Sequence, residues 1–291
     1  MKISLGERIF KTVNTILLLL LCAFMLYPIM FVVGRSFMGD AERALAPLRL
    51  FPKKPDFSGY NFIFFSGSNI LHGYFITIMR TLIGTSLNVA LTAMMAYPLS
   101  KKYLPKRKFF TGVVVFTMWF YGGMIPHFLL IKSLGLMNNF WVYILPSAIN
   151  AFNLIILRNF FMQIPESLEE CAKLDGANDL YIFLKIYLPL SKASLATITL
   201  FYAVTHWNSW FDSLLYVNSK DLWTLQYMLQ QLIQSASIND ISNASTITER
   251  LPAAETVRMA TIVVATVPIL CIYPFLQKYF VKGVLVGSVK G

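Results

Sequence analysis

The chain has few charged residues for its length. Asp, Glu, Lys and Arg make up 13% of its 291 residues, whereas 56% are hydrophobic and 15% are aromatic. Soluble domains usually carry about twice that charged fraction. The mean hydropathy of +0.60 agrees with this shortage of charge. These values exclude a water-soluble globular protein and indicate that most of the chain lies in a lipid bilayer.

Motifs that mark catalytic or metal sites are also missing. The chain has no Gly-x-x-x-x-Gly-Lys-Ser/Thr phosphate loop, no His-Glu-x-x-His, no Gly-x-Ser-x-Gly and no Cys-x-x-Cys. Its three cysteines are scattered and odd in number, which supports neither a disulfide framework nor a metal site. We therefore predict no catalytic residues, no metal ligands and no cofactor in this chain, and we do not expect an enzyme.

Long apolar segments recur along the chain, and each is centred on a window without Asp, Glu, Lys or Arg. About 20 helical residues cross the hydrocarbon core of a bilayer, so each segment is long enough. The sequence predicts an all-α integral membrane protein with a single transmembrane domain over 1–291. The six predicted spans are 12–34, 78–100, 109–131, 140–162, 190–212 and 258–280.

Basic residues predict the orientation, because positively charged loops stay in the cytoplasm. Five positive charges occupy the eight residues from Lys101 to Lys108, between the second and third predicted spans. This block places both termini in the cytoplasm and makes 163–189 a cytoplasmic loop. The segments 35–77 and 213–257 are then extracytoplasmic. A basic run could also bind nucleic acid, but beside a span we interpret it as a topological signal, and no nucleic-acid partner is expected.

Ionisable groups are almost absent from the apolar windows, where only His127 and His206 occur. Ion-coupled carriers and voltage sensors place charged groups inside the membrane for their function. With no such groups and no nucleotide motif, the energy for any transport must come from a partner. The loop 163–189 is the one long cytoplasmic segment that could receive it.

That loop carries a spaced pattern of residues. Glu170 and Ala172 are followed by Gly176 and then, after nine residues, by Ile186-Tyr-Leu188-Pro189. This arrangement resembles the EAA signature of ATP-binding-cassette (ABC) importer permeases, with Cys171 as one departure where alanine is usual. The resemblance covers essentially the whole chain. It is nearest to the smaller permease subunit of maltose-type carbohydrate importers, in the branch associated with complex, often uronate-bearing oligosaccharides.

The resemblance implies a type I importer fold in which the loop is a coupling helix seated on a cytoplasmic ATPase. Closure of the ATPases would rock two permease subunits between inward-open and outward-open states. The implied partners are a second homologous permease, two ABC ATPases that bind ATP and Mg, an extracytoplasmic solute-binding protein, the oligosaccharide and membrane lipid of a bacterial cell membrane. The implied ATPase-coupling residues are Glu169, Glu170, Ala172, Asp175, Gly176, Ile186, Leu188 and Pro189. In similar subunits the C-terminal tail also approaches the ATPase, which implicates Lys282, Gly283, Gly287 and Gly291.

Polar and aromatic side chains in the fourth and fifth predicted spans are candidates for a substrate path, because sugars bind to aromatic faces and a few polar groups. The candidates are Asn150, Asn153, Tyr202, His206, Trp207, Asn208, Trp210 and Asp212. Tryptophans at the ends of spans also form interfacial belts, and asparagines also bond between helices. The alternatives left open are an ABC permease for a peptide, polyamine or phosphonate, a homodimeric permease pair, and a stand-alone channel or secondary carrier.

Overall fold

The structure, a computed structural model, is predominantly helical in the residues that it describes. It describes residues 5–46, 49–65, 70–242 and 255–271. No β-strand occurs in these ranges, so the prediction of an all-α chain is confirmed for them. The helices, in chain order, are α1 (Leu5–Ser36), α2 (Asp40–Leu45), α3 (Ser58–Phe65), α4 (Ile70–Ser100), α5 (Arg107–Trp119), α6 (Met124–Ser133), α7 (Ala151–Phe161), α8 (Glu166–Leu174), α9 (Asp179–Ile182), α10 (Leu188–Leu190), α11 (Lys192–Asn208), α12 (Phe211–Tyr216), α13 (Leu225–Ser242) and α14 (255–271).

Two compact units divide the described residues. The first contains α1, α2, α3, most of α13 and most of α14. Helix α1 is 32 residues long and its apolar side chains are exposed along its length, as expected for a helix surrounded by lipid. At the end of α1, Arg35 forms an ion pair with Glu255 of α14 at 3.2 Å. The Ser36 hydroxyl lies 2.7 Å from that of Tyr60 on α3.

The second unit is built on α4, which packs against α7 and α11. The small residues Ala93 and Ala96 of α4 are buried there and let the neighbouring helices approach closely. The hydrophobic core of this unit also includes Ile182, Phe183 and Tyr187, which follow α8. The predicted cytoplasmic loop 163–189 is therefore packed onto the helices of the unit. The fully or nearly fully buried members of this core are Ala93, Ala96, Leu99, Val114, Leu154, Leu157, Phe161, Ile182, Phe183, Tyr187, Ile198 and Tyr202.

The predicted spans are only partly straight helices. Two described helices, α1 and α4, are long and apolar enough to cross a membrane on their own. Three more candidates are pairs of helical segments: α5 and α6 meet at 112°, Phe140–Ser147 and α7 at 52°, and Asp179–Leu190 and α11 at 82°. Counting each pair as one span gives five among the described residues. The sixth predicted span, 258–280, is described only as far as 271.

Several boundaries differ from the prediction. Helix α4 begins at Ile70, eight residues before the predicted start of its span at 78. The predicted span 109–131 is interrupted by Gly122 and Gly123, and Gly123 has φ +92°. The segment 213–257 was predicted as a polar loop but contains most of α12 and all of α13. Leu225, Met228 and Leu229 are buried in α13, which explains why the segment is helical.

Candidate functional site

The segment that carries the spaced motif folds as a helical hairpin made of α8, a turn and α9. The turn at Gly176 has φ +82°, a conformation that glycine adopts without a steric penalty. The amide of Ala177 donates to the carbonyl of Ala172 at 2.9 Å, and that of Gly176 to Lys173 at 3.0 Å. These two bonds form a Schellman motif, which satisfies the last carbonyls of α8. Asn178 then caps α9 by accepting from the Tyr181 amide at 2.8 Å.

A buried carboxylate attaches this hairpin to the rest of the second unit. Glu169 on α8 forms an ion pair with Lys101, the residue after the end of α4, and both side chains are buried. Lys173 donates to Glu169 Oε1 at 2.8 Å. The hydroxyls of Tyr187 and Tyr103 donate to the same carboxylate at 3.1 and 3.2 Å. Four donors from three parts of the chain therefore meet on one side chain of the hairpin.

Aromatic rings enclose the cation of this pair. The Lys101 ammonium lies 3.8 Å from the ring centroid of Tyr187 and 4.0 Å from that of Tyr97. The faces of such rings attract a cation, more strongly when water is excluded. Tyr187 also packs edge-on against Phe161 of α7, with ring centroids 5.6 Å apart. The attachment thus joins the hairpin to both α4 and α7. We call the set of Tyr97, Lys101, Tyr103, Glu169, Lys173 and Tyr187 the Glu169 cluster.

The electrostatics of the cluster favour the ionised carboxylate. Burial acts to raise the pKa of Glu169, but hydrogen bonds from Lys101 and Lys173 outweigh it, and the pKa falls to about 2. The hydrogen bond to Glu169 raises the pKa of Lys173 above its usual value. Desolvation raises the pKa of the Tyr187 hydroxyl, which therefore stays a donor. The hairpin is held by charged, hydrogen-bonded groups at neutral pH.

The predicted coupling residues divide into an exposed edge and a packed base. Glu170 and Asp175 are exposed, and the adjacent Leu174 has 88% of its surface exposed. Ala172, Ile186 and Leu188 instead pack against the core of the second unit. An exposed edge that combines an apolar side chain with carboxylates is a surface that a protein partner can bind.

The segment between the hairpin and α11 is irregular. Phe183–Tyr187 is one turn of π-helix, in which the Leu188 amide donates to the carbonyl of Phe183. Pro189 follows it and has no amide to donate to the carbonyl four residues earlier, so a regular α-helix cannot continue through it. The chain then turns by 82° into α11. The helical segment that begins at Asp179 therefore bends just after Pro189.

A cavity of about 390 Å³ lies at the base of the hairpin. It is lined by members of the Glu169 cluster together with Lys102, Glu166 and Glu170. Lys102 and Glu166 form a second ion pair between the same two parts of the chain, at 2.9 Å, but this pair is exposed. No group of three or more His, Cys, Asp or Glu side chains within the described ranges could hold a metal ion.

The second unit also contains a buried ion pair that the sequence did not predict. Arg80 of α4 is buried and forms a bidentate pair with Asp212 at the start of α12. Its guanidinium carbon lies 4.6 Å from the ring centroid of Tyr143. Asp212 additionally accepts from the Ser209 hydroxyl and the Ser213 amide, both at 3.0 Å. Arg80 lies inside the second predicted span, 78–100, but outside the charge-free window on which that span is centred. A search of the windows for ionisable groups therefore did not reveal it.

Most other substrate-path candidates bond to neighbouring helices. The hydroxyl of Tyr202 bonds with that of Thr92 at 2.7 Å and accepts from the Asn150 amide at 2.9 Å. His206 is buried beside α4, 3.1 Å from the side-chain amide of Asn88. A Cβ added to Gly84 would come within 2.6 Å of the His206 ring, so glycine permits this close approach. These three predicted residues lie together in the interface of α4, α7 and α11.

The remaining candidates are spread more widely. Asn153 is buried, and its amide donates to the Asn150 side chain at 3.1 Å. Trp207 is buried and packs edge-on against Tyr74. Asn208 is exposed and donates to the carbonyl of Val204 on its own helix at 2.9 Å. Trp210 is half-buried. The predicted tail residues Lys282, Gly283, Gly287 and Gly291 lie outside the described residues.

Known proteins resemble this chain over nearly its full length. The model of the family described as binding-protein-dependent transport system inner membrane component matches residues 3–286. The polygalacturonan/rhamnogalacturonan transport system permease protein YtcP of Bacillus subtilis is 46% identical over 98% of this chain and 99% of that protein. Protein LplC of the same organism is 43% identical over 98% and 96%. A crystal structure of a bacterial ABC transporter involved in the import of the acidic polysaccharide alginate contains a chain with TM-score 0.84 and 36% identity, covering 96% of this chain and 99% of that one.

Proposed function

Since the chain belongs to the family of binding-protein-dependent transport system inner membrane components, we propose that it carries an acidic oligosaccharide across the membrane as one permease subunit of an ABC importer. A second permease, two ATPases and an extracytoplasmic binding protein would complete the importer. The six spans would leave both termini in the cytoplasm, and the tail from Lys282 to Gly291 would approach the ATPases. The chain itself hydrolyses nothing.

The observation that carries the proposal is the anchored hairpin. Its edge at Glu170, Leu174 and Asp175 is exposed, whereas Glu169 on the same helix is buried and bonded to Lys101. A partner that binds the exposed edge would move the base of the hairpin with it. Because Lys101 directly follows α4, that movement would reach the helix at the centre of the second unit. Rigid-body alternating access requires such a stiff connection.

The substrate class rests on the relatives. One is named for polygalacturonan and rhamnogalacturonan transport, and the solved structure concerns the polysaccharide alginate, described as acidic. These names favour an acidic oligosaccharide over the peptide, polyamine and phosphonate alternatives. The residues of this chain that would contact it are proposed to include Trp210, which is half-buried at the end of α11, and Asn208, which is exposed there.

The test is a transport assay on the complete importer in proteoliposomes, with its binding protein and short oligogalacturonates or a neutral oligosaccharide of the same length. Glu170→Lys should insert and assemble, yet lose both uptake and substrate-stimulated ATP hydrolysis, because it reverses a charge on the exposed edge. Asp221→Lys is the matched control. Asp221 is also exposed, and its carbonyl contacts His72 at the N-terminal end of α4. It therefore lies far from the hairpin, which is attached at the C-terminal end of α4.

Normal coupled uptake by the Glu170→Lys importer would refute the coupling role of the hairpin. Uptake of the neutral oligosaccharide alone would refute the substrate class and leave the coupling role intact. Uptake by this chain in liposomes without ATPase or ATP would refute the importer altogether and favour the channel or secondary carrier.

A further inference from the structure

The basic block after α4 has two parts that differ in their partners. Lys101 and Lys102 form ion pairs with Glu169 and Glu166. The next cations, Lys106, Arg107 and Lys108, have no acidic partner within the described ranges, and neither does Arg158 of α7. A signal for membrane orientation needs positive charge on the cytoplasmic side, but it does not require that these four unpaired cations lie together.

These four cations line one open groove of about 850 Å³ between the start of α5 and the end of α7. Arg158 donates to the carbonyl of Leu99 at 3.0 Å, and Arg107 lies 3.4 Å from the sulfur of Met162, so both guanidinium groups are held in place. Arg107 and Arg158 line the same groove, so their like charges repel each other. An anion in the groove would relieve this repulsion.

Beyond the cations the groove becomes more apolar, although Thr111 also lines it. Gly112 and Val115 line it one and two turns further along α5. A side chain added at Gly112 would meet nothing within 4 Å, so the groove is open at that point. Val115 lies about 12 Å along the helix axis from Arg107. The groove therefore changes from cationic to apolar in the direction in which α5 enters the predicted third span.

We propose that this groove binds an anionic phospholipid, with its phosphate among Lys106, Arg107, Lys108 and Arg158 and an acyl chain along Gly112 and Val115. Lysine and arginine recognise phosphate through charge-assisted hydrogen bonds. Basic pockets beside membrane helices suit anionic head groups. The acidic surface of a soluble subunit could pair with the cations, but it would not contact the apolar residues at the other end of the groove.

The test measures phospholipid retained by the purified full-length chain, using native mass spectrometry with dioleoyl phosphatidylglycerol or dioleoyl phosphatidylcholine in detergent. Phosphatidylglycerol should bind preferentially. Arg107→Gln/Lys108→Gln should weaken that binding about 30-fold, since each cation near an anionic lipid contributes about 1 kcal/mol, which is roughly a fivefold factor. Lys53→Gln/Lys54→Gln is the control with the same charge change at two exposed residues. It should bind like the unaltered chain.

Gly112→Leu keeps every charge and fills the apolar end, so it should also reduce retention of phosphatidylglycerol. The proposal would be overturned if Arg107→Gln/Lys108→Gln retained as much phosphatidylglycerol as the control Lys53→Gln/Lys54→Gln. Displacement of the lipid by millimolar inorganic phosphate, with Gly112→Leu unaffected, would show a simple phosphate site instead and also overturn it. So would a loss of ATPase binding in Arg107→Gln/Lys108→Gln with lipid retention unchanged.

Discussion

Neutralising Glu169 tests whether the hairpin is attached through charge. Glu169→Gln keeps one of the two acceptor oxygens to which Tyr187 and Tyr103 donate but removes the negative charge, so Lys101 would remain buried between two aromatic rings without its counterion. Removing one partner of a buried ion pair typically costs about 3–5 kcal/mol. We expect the free energy of unfolding to fall by that amount.

Removing the other partner, Lys101, should lower the free energy of unfolding by less. In Lys101→Met the Glu169 carboxylate would keep its bond to Lys173, whose side chain is 42% exposed and can follow it. The double variant Glu169→Gln/Lys101→Met should recover much of the loss, because neither charge of the buried pair is then left without its partner. Glu166→Gln is the internal control. It breaks the exposed pair with Lys102 and should cost about 0–1 kcal/mol.

The assay is the unfolding of the purified chain in mixed micelles, followed by far-ultraviolet circular dichroism as the fraction of denaturing detergent increases. The same variants in the complete importer should show ATP hydrolysis that no longer responds to substrate, since a loosened hairpin cannot move α4. If Glu169→Gln unfolds within about 1 kcal/mol of Glu166→Gln, the buried pair does not hold the hairpin.

Three further outcomes are expected from the geometry. The pKa of Glu169 is lowered from 4.5 to about 2, so its contribution to stability should be complete above about pH 4.5 and lost as the pH falls toward 2; Glu169→Gln should remove this dependence in a pH titration of unfolding. Gly176→Ala places a side chain at φ +82° and should destabilise the hairpin by about 1–2 kcal/mol, measured by faster proteolysis after α8. Asp212→Ala would leave Arg80 buried without its carboxylate and should lower stability by about 3–5 kcal/mol even without substrate, whereas a residue that only binds substrate would not.

Local signals in the sequence sufficed for the hairpin. Gly176, Asn178 and Pro189 each act on their own backbone neighbourhood, and the turn, the cap and the bend lie at these residues. Their functional roles stay predictions. The pair of Lys101 and Glu169 was not predictable, because the two residues are 68 positions apart and only the packing of the hairpin onto α4 joins them.

Charge-free windows misjudged α4 for a related reason. The predicted span begins at 78, whereas α4 begins at Ile70 and contains Arg80, whose charge is neutralised by Asp212 of a distant helix. Composition was also a poor guide to α13, which is rich in serine and glutamine. Its signal was the spacing of Leu225, Met228, Leu229 and Leu232, which repeats as one face of a helix.

The single π-helical turn at Phe183–Tyr187 has a consequence for how this segment can vary among relatives. It holds one residue more than an α-helical turn would need. A deletion inside this turn would be absorbed, because the helix would return to a regular α-helical turn, whereas a deletion between Gly176 and Phe183 would rotate Tyr187 by about 100° relative to the hairpin. Tyr187 and Glu169 could then no longer face each other while Pro189 kept its place. The part of the interval before the π turn, from Gly176 to Ile182, thus has a length requirement, and substitutions there should be tolerated far better than insertions or deletions.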